Sequence, residues 1–312
     1  MTVRVVFAAG ADLWAEYRSP LEAAFRSAGL AVHLSDRASD PDAVDYIVCS
    51  PGGTISDFTP YRRCKAVLNL WAGVERLVTN PTLTMPLARM VIPGMTESMV
   101  EYVAANVLRH HLGLDRFIRN PAYEWNPEPA PPNARDRRVT MLGMGDLGSA
   151  CATALAALNF NVTGWSRSAR SLAGVDCLAG REALPAALGR AEILVLLLPL
   201  TDETRDILNA RTLAMLPRGA MIVNAGRGAL IDDGALIAAL ESGHVAHATL
   251  DVFRREPLPR DHPFWHHPGV TVTPHIAAKT PVGEASRMVA ENIRRSESGE
   301  PMLNLVDRAK GY

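Results

Sequence analysis

The stretch RVTMLGMGDLGSACATALAAL, residues 138–158, decides the fold of this chain. It begins as an apolar strand, passes through three glycines in the spacing GxGxxG, and continues as an alanine-rich helix. In that context Gly143 permits a tight turn, Gly145 lets a pyrophosphate approach the backbone, and Gly148 lets the helix pack closely on the strand. The start of the helix adds free N–H groups and a positive dipole end. The stretch therefore favours a dinucleotide-binding βαβ unit over a tight turn without a ligand.

The next strand bears on the choice of dinucleotide, because it ends at Ser166, Arg167 and Ser168. An NAD site usually has an Asp or Glu at this point, which binds the ribose 2′-hydroxyl. A guanidinium and two hydroxyls would instead attract a 2′-phosphate through charge-assisted hydrogen bonds. The sequence therefore favours NADP(H). The alternative is that Arg167 is a surface charge and that the protein uses NAD(H).

The composition is that of a globular protein with a large core. At roughly 150 residues per domain, 312 residues predict about two domains. Hydrophobic residues make up 48%, charged residues make up 21% and the formal net charge is -1, so nothing indicates a nucleic acid or an anionic membrane as a partner. The longest apolar run, ILVLLLPL at 193–200, is far shorter than the roughly 18 residues that span a bilayer.

Cysteine usage and the N-terminal segment indicate the compartment. Cys49, Cys64, Cys151 and Cys177 are scattered along the chain, without a CxxC motif or metal-ligand spacing. We interpret them as structural thiols in a reducing cytoplasm, and we expect no metal site. The N-terminal segment MTVRVVFAAG is apolar but short, and we interpret it as a first strand and not as a secretory leader.

Short apolar runs alternate with longer helical patterns along most of the chain. Continuous apolar strands with helices between them argue for parallel sheets that are covered on both faces. We therefore predict an α/β protein with two Rossmann-like domains. The predicted strands are 3–8, 45–49, 66–70, 138–142, 161–165, 193–198, 221–224, 246–252 and 270–273, and the predicted helices are 13–28, 97–112, 147–158, 233–241 and 282–296.

The segment NPAYEWNPEPAPPNARDRR, residues 120–138, interrupts this alternation. Its density of prolines forbids a helix and favours an extended connector, so we place a domain junction near it. The βαβ unit then belongs to a dinucleotide-binding Rossmann domain at 99–280. The last helix follows a second junction, which predicts a discontinuous, flavodoxin-like substrate-binding domain at 1–98 and 281–312.

An arginine, a glutamate and a histidine each follow a predicted strand of the dinucleotide-binding domain. Arg227 lies between two glycines after one strand, Glu256 follows the next strand, and His275 follows the one after that. Ligands of open α/β sheets bind at the carboxyl ends of the strands, so these three side chains are expected to share one crevice. Each alone has an ordinary alternative, as a surface charge or a loop histidine.

Together the three side chains suit the reduction of a keto acid. Arg227 can hold the carboxylate and polarise the adjacent carbonyl, while His275 can donate a proton to the carbonyl oxygen as hydride arrives. A Glu256 carboxylate beside the imidazole would raise the pKa of His275 and fix the orientation of its ring.

On these residues the chain resembles the D-isomer-specific 2-hydroxyacid dehydrogenase family. The matching stretches are MLGMGDLGSA, LLLPLTDETRDILNARTLAMLPRGAMIVNAGRGALIDDGALIAAL, LDVFRREPLP, HPFW and TPHIAA, which cover roughly residues 97–280. Within the family the chain is most similar to the glyoxylate/hydroxypyruvate reductases, because of GWSRS and the ESMVEYV helix. The resemblance implies that His275 is the general acid/base, that Glu256 pairs with it, and that Arg227 binds the substrate.

The resemblance also implies roles around the cofactor. Asp251 would contact the nicotinamide carboxamide, and Pro199 and Thr201 would line the adenosine or ribose side. Ala225 and Gly226 would pass under the nicotinamide. The predicted cofactor contacts are Gly143, Met144, Gly145, Asp146, Leu147, Gly148, Ser166, Arg167, Ser168, Pro199, Thr201, Ala225, Gly226, Arg227, Asp251, His275 and Ala277.

For the substrate, the family uses a short Gly/Ala turn whose backbone N–H groups hold the carboxylate, and Ala72 and Gly73 match that turn. Trp71 takes the place of a small residue seen in many relatives, and it could narrow the pocket or pack away from it. Trp125, in the proline-rich segment, could reach towards a partner subunit or pack in a core or an interface. The predicted substrate contacts are Trp71, Ala72, Gly73, Arg227 and His275.

We therefore expect NAD(P)H-dependent reduction of a small 2-keto acid, of the glyoxylate or hydroxypyruvate type, to the 2-hydroxy acid. The resemblance implies a homodimer, and the cysteine usage leads us to expect it in the cytoplasm. The alternatives are a bulkier 2-keto acid, use of NAD(H), or a non-catalytic protein that senses dinucleotides.

Overall fold

The computed structural model describes residues 2–118, 123, 125 and 129–308. The chain forms two compact units: the first runs to Met95 and resumes at Lys279, and the second is Thr96–Ala278. The first unit is therefore discontinuous in sequence. The break near residue 95 falls inside a helix and not in the proline-rich segment, of which residues 120–122, 124 and 126–128 lie outside the described part of the chain.

The first unit contains a five-stranded parallel sheet in the order β2-β1-β3-β4-β5. Its central strands β3 and β4 are buried along their whole length, and α1 packs against α9. The elements are β1 (Val3–Ala8), α1 (Ala11–Ser27), β2 (Val32–Ser35), β3 (Tyr46–Cys49), β4 (Ala66–Asn69), α2 (Glu75–Val78), β5 (Leu87–Ala88) and α9 (Val282–Glu297).

The second unit contains a seven-stranded sheet in the order β12-β11-β10-β9-β6-β7-β8, and all its pairs are parallel. The order reverses beside β6, which lies between β9 and β7, and ligands of such sheets bind at this switch point. The strands are β6 (Arg138–Leu142), β7 (Asn161–Ser166), β8 (Val175–Ala179), β9 (Ile193–Leu196), β10 (Ala220–Asn224), β11 (Val245–Leu250) and β12 (Val270–Val272). The helices are α3 (Pro93–Leu112, which begins in the first unit), α4 (Asp115–Ile118), α5 (Asp146–Ala157), α6 (Leu184–Arg190), α7 (Ala210–Leu213) and α8 (Asp233–Glu241).

The strands of the second sheet are apolar throughout because both faces are covered. Successive side chains of a strand point to opposite faces. Leu194 and Leu196 of β9 accordingly join one buried cluster, whereas Ile193 and Val195 join another on the opposite side. The predicted α/β fold with two parallel, Rossmann-like sheets is therefore confirmed.

The structure contains three strands that the sequence did not predict, namely β2, β5 and β8. β2 and β8 lie at sheet edges and are only partly buried, so their sequences VHLS and VDCLA mix polar with apolar residues. β5 has only two residues. The helix predicted at 97–112 begins earlier, at Pro93, which suits a first turn because its missing N–H is not needed there. Among the described residues, no helix is long and apolar enough to cross a membrane.

Candidate active site

The glycine turn between β6 and α5 is shaped by two close backbone approaches. Gly143 has φ 107°, and a Cβ on it would lie 2.6 Å from the carbonyl oxygen of Leu197, just beyond β9. A Cβ on Gly148 would lie 1.8 Å from the carbonyl oxygen of Gly143. Both glycines are therefore required by the packing of the protein itself.

Gly145 is different, because a Cβ built on it would have no heavy atom within 4 Å. It has an ordinary negative φ of -74° and forms the N-cap of the 12-residue helix α5, where no side chain caps the first N–H groups. Open space in front of a helix N-terminus is what an anionic group needs to reach the backbone. The turn therefore fits the pyrophosphate of a dinucleotide. Beside it, Met144 is buried against Gly164, while Asp146 and Leu147 begin the helix.

The residues predicted to meet the adenosine end follow β7 and β9, the two neighbours of β6. At the end of β7 the Ser166 hydroxyl donates to the carbonyl of Ser168 at 2.7 Å, and Arg167 between them is exposed. After β9 the Thr204 hydroxyl donates to the carbonyl of Pro199 at 2.7 Å and accepts from the N–H of Thr201 at 2.8 Å. Both groups therefore lie at the carboxyl edge of the sheet, as the glycine turn does.

Strands β10, β11 and β12 are neighbours, and the side chains that follow them meet. His275 Nδ1 lies 2.8 Å from Glu256 Oε2, and Glu256 Oε1 accepts the N–H of Phe253 at 2.9 Å. About half of the His275 side chain, 53%, is exposed. Its backbone has φ 54°, in the left-handed region, and its N–H donates to the carbonyl of Asp251 at 2.9 Å. The imidazole is thus held by one carboxylate and still accessible to a ligand.

Charges around this pair favour the ionised form of both partners. The Glu256 hydrogen bond raises the pKa of His275, against opposing effects of burial and of Arg227. Burial alone would raise the pKa of Glu256, but hydrogen bonds from His275 and from the Phe253 N–H, with the nearby charge of Arg227, lower it overall. Glu256 is therefore a carboxylate at neutral pH, and His275 holds its proton more tightly than a free imidazole does.

The loop after β10 is closed by its own hydrogen bonds. The Asn224 amide donates to the carbonyl of Arg227 at 3.0 Å and accepts from the N–H of Gly226 at 3.1 Å. The Arg227 guanidinium donates to the carbonyl of Gly226 at 2.7 Å. Ala225 is buried within the same loop. These hydrogen bonds hold the loop and the Arg227 guanidinium in place. The charge of the guanidinium there acts on both His275 and Glu256.

Asp251 is fully buried, and its carboxylate organises the segment that carries His275. Oδ1 accepts from the Thr273 hydroxyl at 2.6 Å and from the Ile276 N–H at 2.9 Å, and Oδ2 accepts from the Ala277 N–H at 2.9 Å. A predicted contact of Asp251 with the nicotinamide carboxamide stays a prediction. The carboxylate instead has an observed role, because it holds the backbone on both sides of the histidine.

Tyr102 extends this network and was not found from the sequence. Its hydroxyl lies 2.7 Å from that of Thr273, and since the Thr273 hydroxyl donates to Asp251, Tyr102 donates to Thr273. Burial raises the pKa of Tyr102 to about 12, so the phenol keeps its proton. The sequence gives little signal for it, because α3 contains several other polar residues, such as Glu101 and Asn106.

The predicted substrate turn belongs to the first unit, where it follows β4. The Asn69 side-chain amide donates to the carbonyls of Trp71 at 2.7 Å and Gly73 at 2.9 Å, which turns both carbonyls towards Asn69. The Trp71 side chain is 44% exposed. The substrate contacts of Trp71, Ala72 and Gly73 stay predictions.

Other polar residues take structural places. His110 and His111 are buried, and His110 Nε2 lies 3.0 Å from the Thr249 hydroxyl. Trp125 is 98% exposed, which excludes packing in the core of its own chain. Among the described residues, no group of three or more His, Cys, Asp or Glu side chains could hold a metal ion.

Comparison with known proteins agrees with this arrangement. Residues 102–277 match the family model for the NAD binding domain of D-isomer specific 2-hydroxyacid dehydrogenases. The chain is 43% identical to such a dehydrogenase from Xanthobacter autotrophicus Py2, solved with NADPH and MES, with 100% of each chain covered and a TM-score of 0.93.

Two further solved structures are similar over nearly the whole chain. One is an NADPH-dependent glyoxylate/hydroxypyruvate reductase from Sinorhizobium meliloti, solved with NADP and sulfate, at 35% identity and a TM-score of 0.89, with 99% of this chain and 100% of that chain covered. The other is a probable 2-hydroxyacid dehydrogenase from Rhizobium etli CFN 42, solved with NADP, HEPES and L(+)-tartaric acid, at 28% identity and a TM-score of 0.88, with 100% and 99% covered. The chain therefore belongs to the D-isomer specific 2-hydroxyacid dehydrogenase family.

Proposed function

We propose that this dehydrogenase reduces small 2-keto acids of the glyoxylate and hydroxypyruvate type and prefers NADP(H) to NAD(H). The observation that carries the proposal is the His275–Glu256 pair, hydrogen-bonded at 2.8 Å in the charge field of Arg227. A proton donor, its orienting carboxylate and a cation for a carboxylate are the groups that reduction of a 2-keto acid requires.

In the proposed reaction Arg227 binds the substrate carboxylate and draws electron density towards the carbonyl oxygen. When bound, the nicotinamide supplies the hydride that reaches the carbonyl carbon. Because Nδ1 of His275 is bonded to Glu256, Nε2 is the nitrogen that gives its proton to the carbonyl oxygen. Glu256 stabilises the imidazolium before that transfer, and the product is the neutral alcohol of a 2-hydroxy acid.

Preference for NADP(H) rests on the end of β7. Ser166, Arg167 and Ser168 offer one guanidinium and two hydroxyls, and the exposed Arg167 suits a 2′-phosphate. The relatives from X. autotrophicus, S. meliloti and R. etli were solved with NADPH or NADP. Use of NAD(H) is the alternative.

A steady-state comparison tests the proposal. Glyoxylate, hydroxypyruvate, pyruvate and phenylpyruvate are each supplied with NADPH and with NADH, and oxidation of the cofactor is followed by absorbance. We expect the highest kcat/KM for glyoxylate or hydroxypyruvate with NADPH. A higher kcat/KM for phenylpyruvate would favour a bulkier substrate. No oxidation with any of them would favour a protein that only senses dinucleotides.

We also propose a homodimer. Apolar side chains are exposed at the end of α3 and along α4, and Phe117 is 46% and Ile118 70% exposed. Clusters of this kind mark association surfaces. Sedimentation equilibrium of the wild type and of Ile118→Lys tests this, with a dimer expected only for the wild type; a monomeric wild type would contradict it.

A further inference from the structure

Arg254 lies two residues before Glu256, on the segment that joins β11 to the catalytic carboxylate, and its guanidinium has three acceptors. It contacts the Asp206 carboxylate and the carbonyl of Ile231, and its Nε lies 3.4 Å from Asp233 Oδ1. The Arg254 side chain is 34% exposed, so the group lies at the surface but is largely enclosed.

All three acceptors belong to, or are bonded to, the segment that follows Arg227. Ile231 follows the short 3-10 helix Gly228–Leu230, which begins after Arg227, and Asp233 is the first residue of α8. Asp206 is joined to the same segment, because its N–H donates to the carbonyl of Ala229 at 2.9 Å. Arg254 therefore ties the segment carrying Glu256 to the segment carrying Arg227.

The two segments are also in direct backbone contact. A Cβ on Gly228 would lie 2.0 Å from the carbonyl carbon of Phe253, so only glycine fits at that position. Phe253 in turn donates its N–H to Glu256 at 2.9 Å. A shift of Arg254 would thus move the donor that orients the Glu256 carboxylate.

The neighbouring Arg255 provides a natural comparison. It is exposed, and it makes no hydrogen bond or ion pair with any residue that the structure describes. Of these two consecutive arginines, Arg254 alone is attached to Asp206, Ile231 and Asp233.

We propose that Arg254 is a positioning residue, which holds Glu256 in line with His275 by binding Asp206, Asp233 and the carbonyl of Ile231. The proposal rests on the proposed function, in which His275 donates the proton. It assigns to Arg254 no contact with substrate or cofactor.

The test compares Arg254→Met with Arg255→Met. The readouts are kcat/KM for the best keto acid as a function of pH, the Kd for NADPH from its fluorescence, and the melting temperature. For Arg254→Met we expect kcat/KM to fall roughly tenfold or more, because small displacements of a catalytic group are costly, with little change in the Kd. Arg255→Met should keep the wild-type plateau of kcat/KM and the wild-type Kd, and its alkaline decline should not move to lower pH.

The direction of the pH shift separates positioning from simple loss of charge. The charged groups that act on His275 are Glu256, Arg227 and Asp251. If Glu256 loses its alignment, the pKa of His275 falls and the alkaline decline of the rate moves to lower pH. Removing a positive charge alone would raise the pKa of His275 and move that decline to higher pH.

A second variant keeps the test decisive if Arg254→Met fails to fold. Asp206 has φ 51°, a left-handed backbone that asparagine adopts readily, so Asp206→Asn removes the ion pair without straining the turn. Removing this negative charge would by itself lower the pKa of His275, so the readout for Asp206→Asn is the low-pH plateau of kcat/KM, which should fall as in Arg254→Met but by a smaller amount. The proposal is overturned if the wild type is active and Arg254→Met does not move the decline to lower pH, or, where Arg254→Met fails to fold, if Asp206→Asn keeps the wild-type plateau of kcat/KM. An inactive wild type would instead overturn the proposed function.

Discussion

His275 and Glu256 are joined through Nδ1 and Oε2 at 2.8 Å, so the second imidazole nitrogen, Nε2, is turned away from the carboxylate. The bond fixes the tautomer, since an ionised carboxylate can only accept. It also raises the pKa of His275 and lowers that of Glu256.

The rate of keto-acid reduction should depend on the protonation of His275. Keto-acid reduction needs protonated His275, so the rate should fall as pH rises through the pKa of His275, with a midpoint above the ordinary imidazole value of about 6.5. In Glu256→Gln the midpoint should move to lower pH and kcat should fall. The measurement is kcat/KM against pH for the wild type and for Glu256→Gln. An unmoved midpoint would show that Glu256 does not act on the imidazole.

The same pair should affect stability within a pH window. Because the folded-state pKa of His275 is raised, its contribution is lost as pH rises through that pKa; because that of Glu256 is lowered, its contribution is lost as pH falls through it. Both side chains are partly exposed, so we expect less than about 1 kcal/mol between these limits. Urea unfolding of the wild type and of Glu256→Gln at several pH values measures it. A difference that does not decrease as pH rises through the His275 midpoint would contradict this assignment.

Substitution of Gly148 should lower stability, whereas substitution of Gly145 should weaken cofactor binding. Gly148→Ala places a Cβ 1.8 Å from a backbone oxygen and should lower the free energy of unfolding by about 1–3 kcal/mol. Gly145→Ala meets no atom within 4 Å, so its stability should change by less than about 0.5 kcal/mol. Its methyl would nevertheless occupy the space proposed for the pyrophosphate, and the Kd for NADPH should rise. Urea unfolding and fluorescence titration measure the two effects, and an unchanged Kd in Gly145→Ala would count against that placement.

Arg167→Asp should reverse the choice of cofactor. A carboxylate repels a 2′-phosphate but can accept a hydrogen bond from a ribose 2′-hydroxyl. Loss of a charge-assisted contact worth about 1.5–3 kcal/mol predicts roughly a tenfold to 100-fold lower kcat/KM with NADPH. Activity with NADH is the internal control and should hold or increase. Equal losses with both cofactors would show that Arg167 does not read the 2′ position.

The Thr273 hydroxyl, which is bonded to both Tyr102 and Asp251, should contribute to the stability of the protein. Thr273→Val leaves the Tyr102 hydroxyl and the buried Asp251 carboxylate each without one partner, and should lower the free energy of unfolding by about 1–3 kcal/mol. Thr273→Ser keeps the hydroxyl and should lose much less. If chemical denaturation gives the two variants equal stability, the hydrogen bonds contribute nothing measurable.

Much of the fold can be predicted from local sequence, because the apolar strands and the glycine turn can each be recognised from a few consecutive residues. The meeting of His275 and Glu256 could also be expected, since the carboxyl ends of neighbouring parallel strands share one edge. Edge strands β2 and β8 were missed because half-exposed strands lack a continuous apolar run.

Contacts between side chains that are far apart in the sequence could not be predicted from local sequence patterns. Tyr102 and Thr273 are 171 residues apart, and Arg254 and Asp206 are 48 residues apart. No spacing rule links such pairs, because their contact depends on how helices and loops pack on the sheet.

The left-handed backbone of His275, at φ 54°, determines which substitution can remove the imidazole without straining the backbone. Alanine or glutamine at this position would add backbone strain to the loss of the imidazole, so an inactive protein would report two changes at once. Asparagine adopts the left-handed region readily and lacks an imidazole. His275→Asn is therefore the substitution that can stop proton transfer while leaving the surrounding loop in place, and the one best suited to trapping cofactor and keto acid together in a crystal.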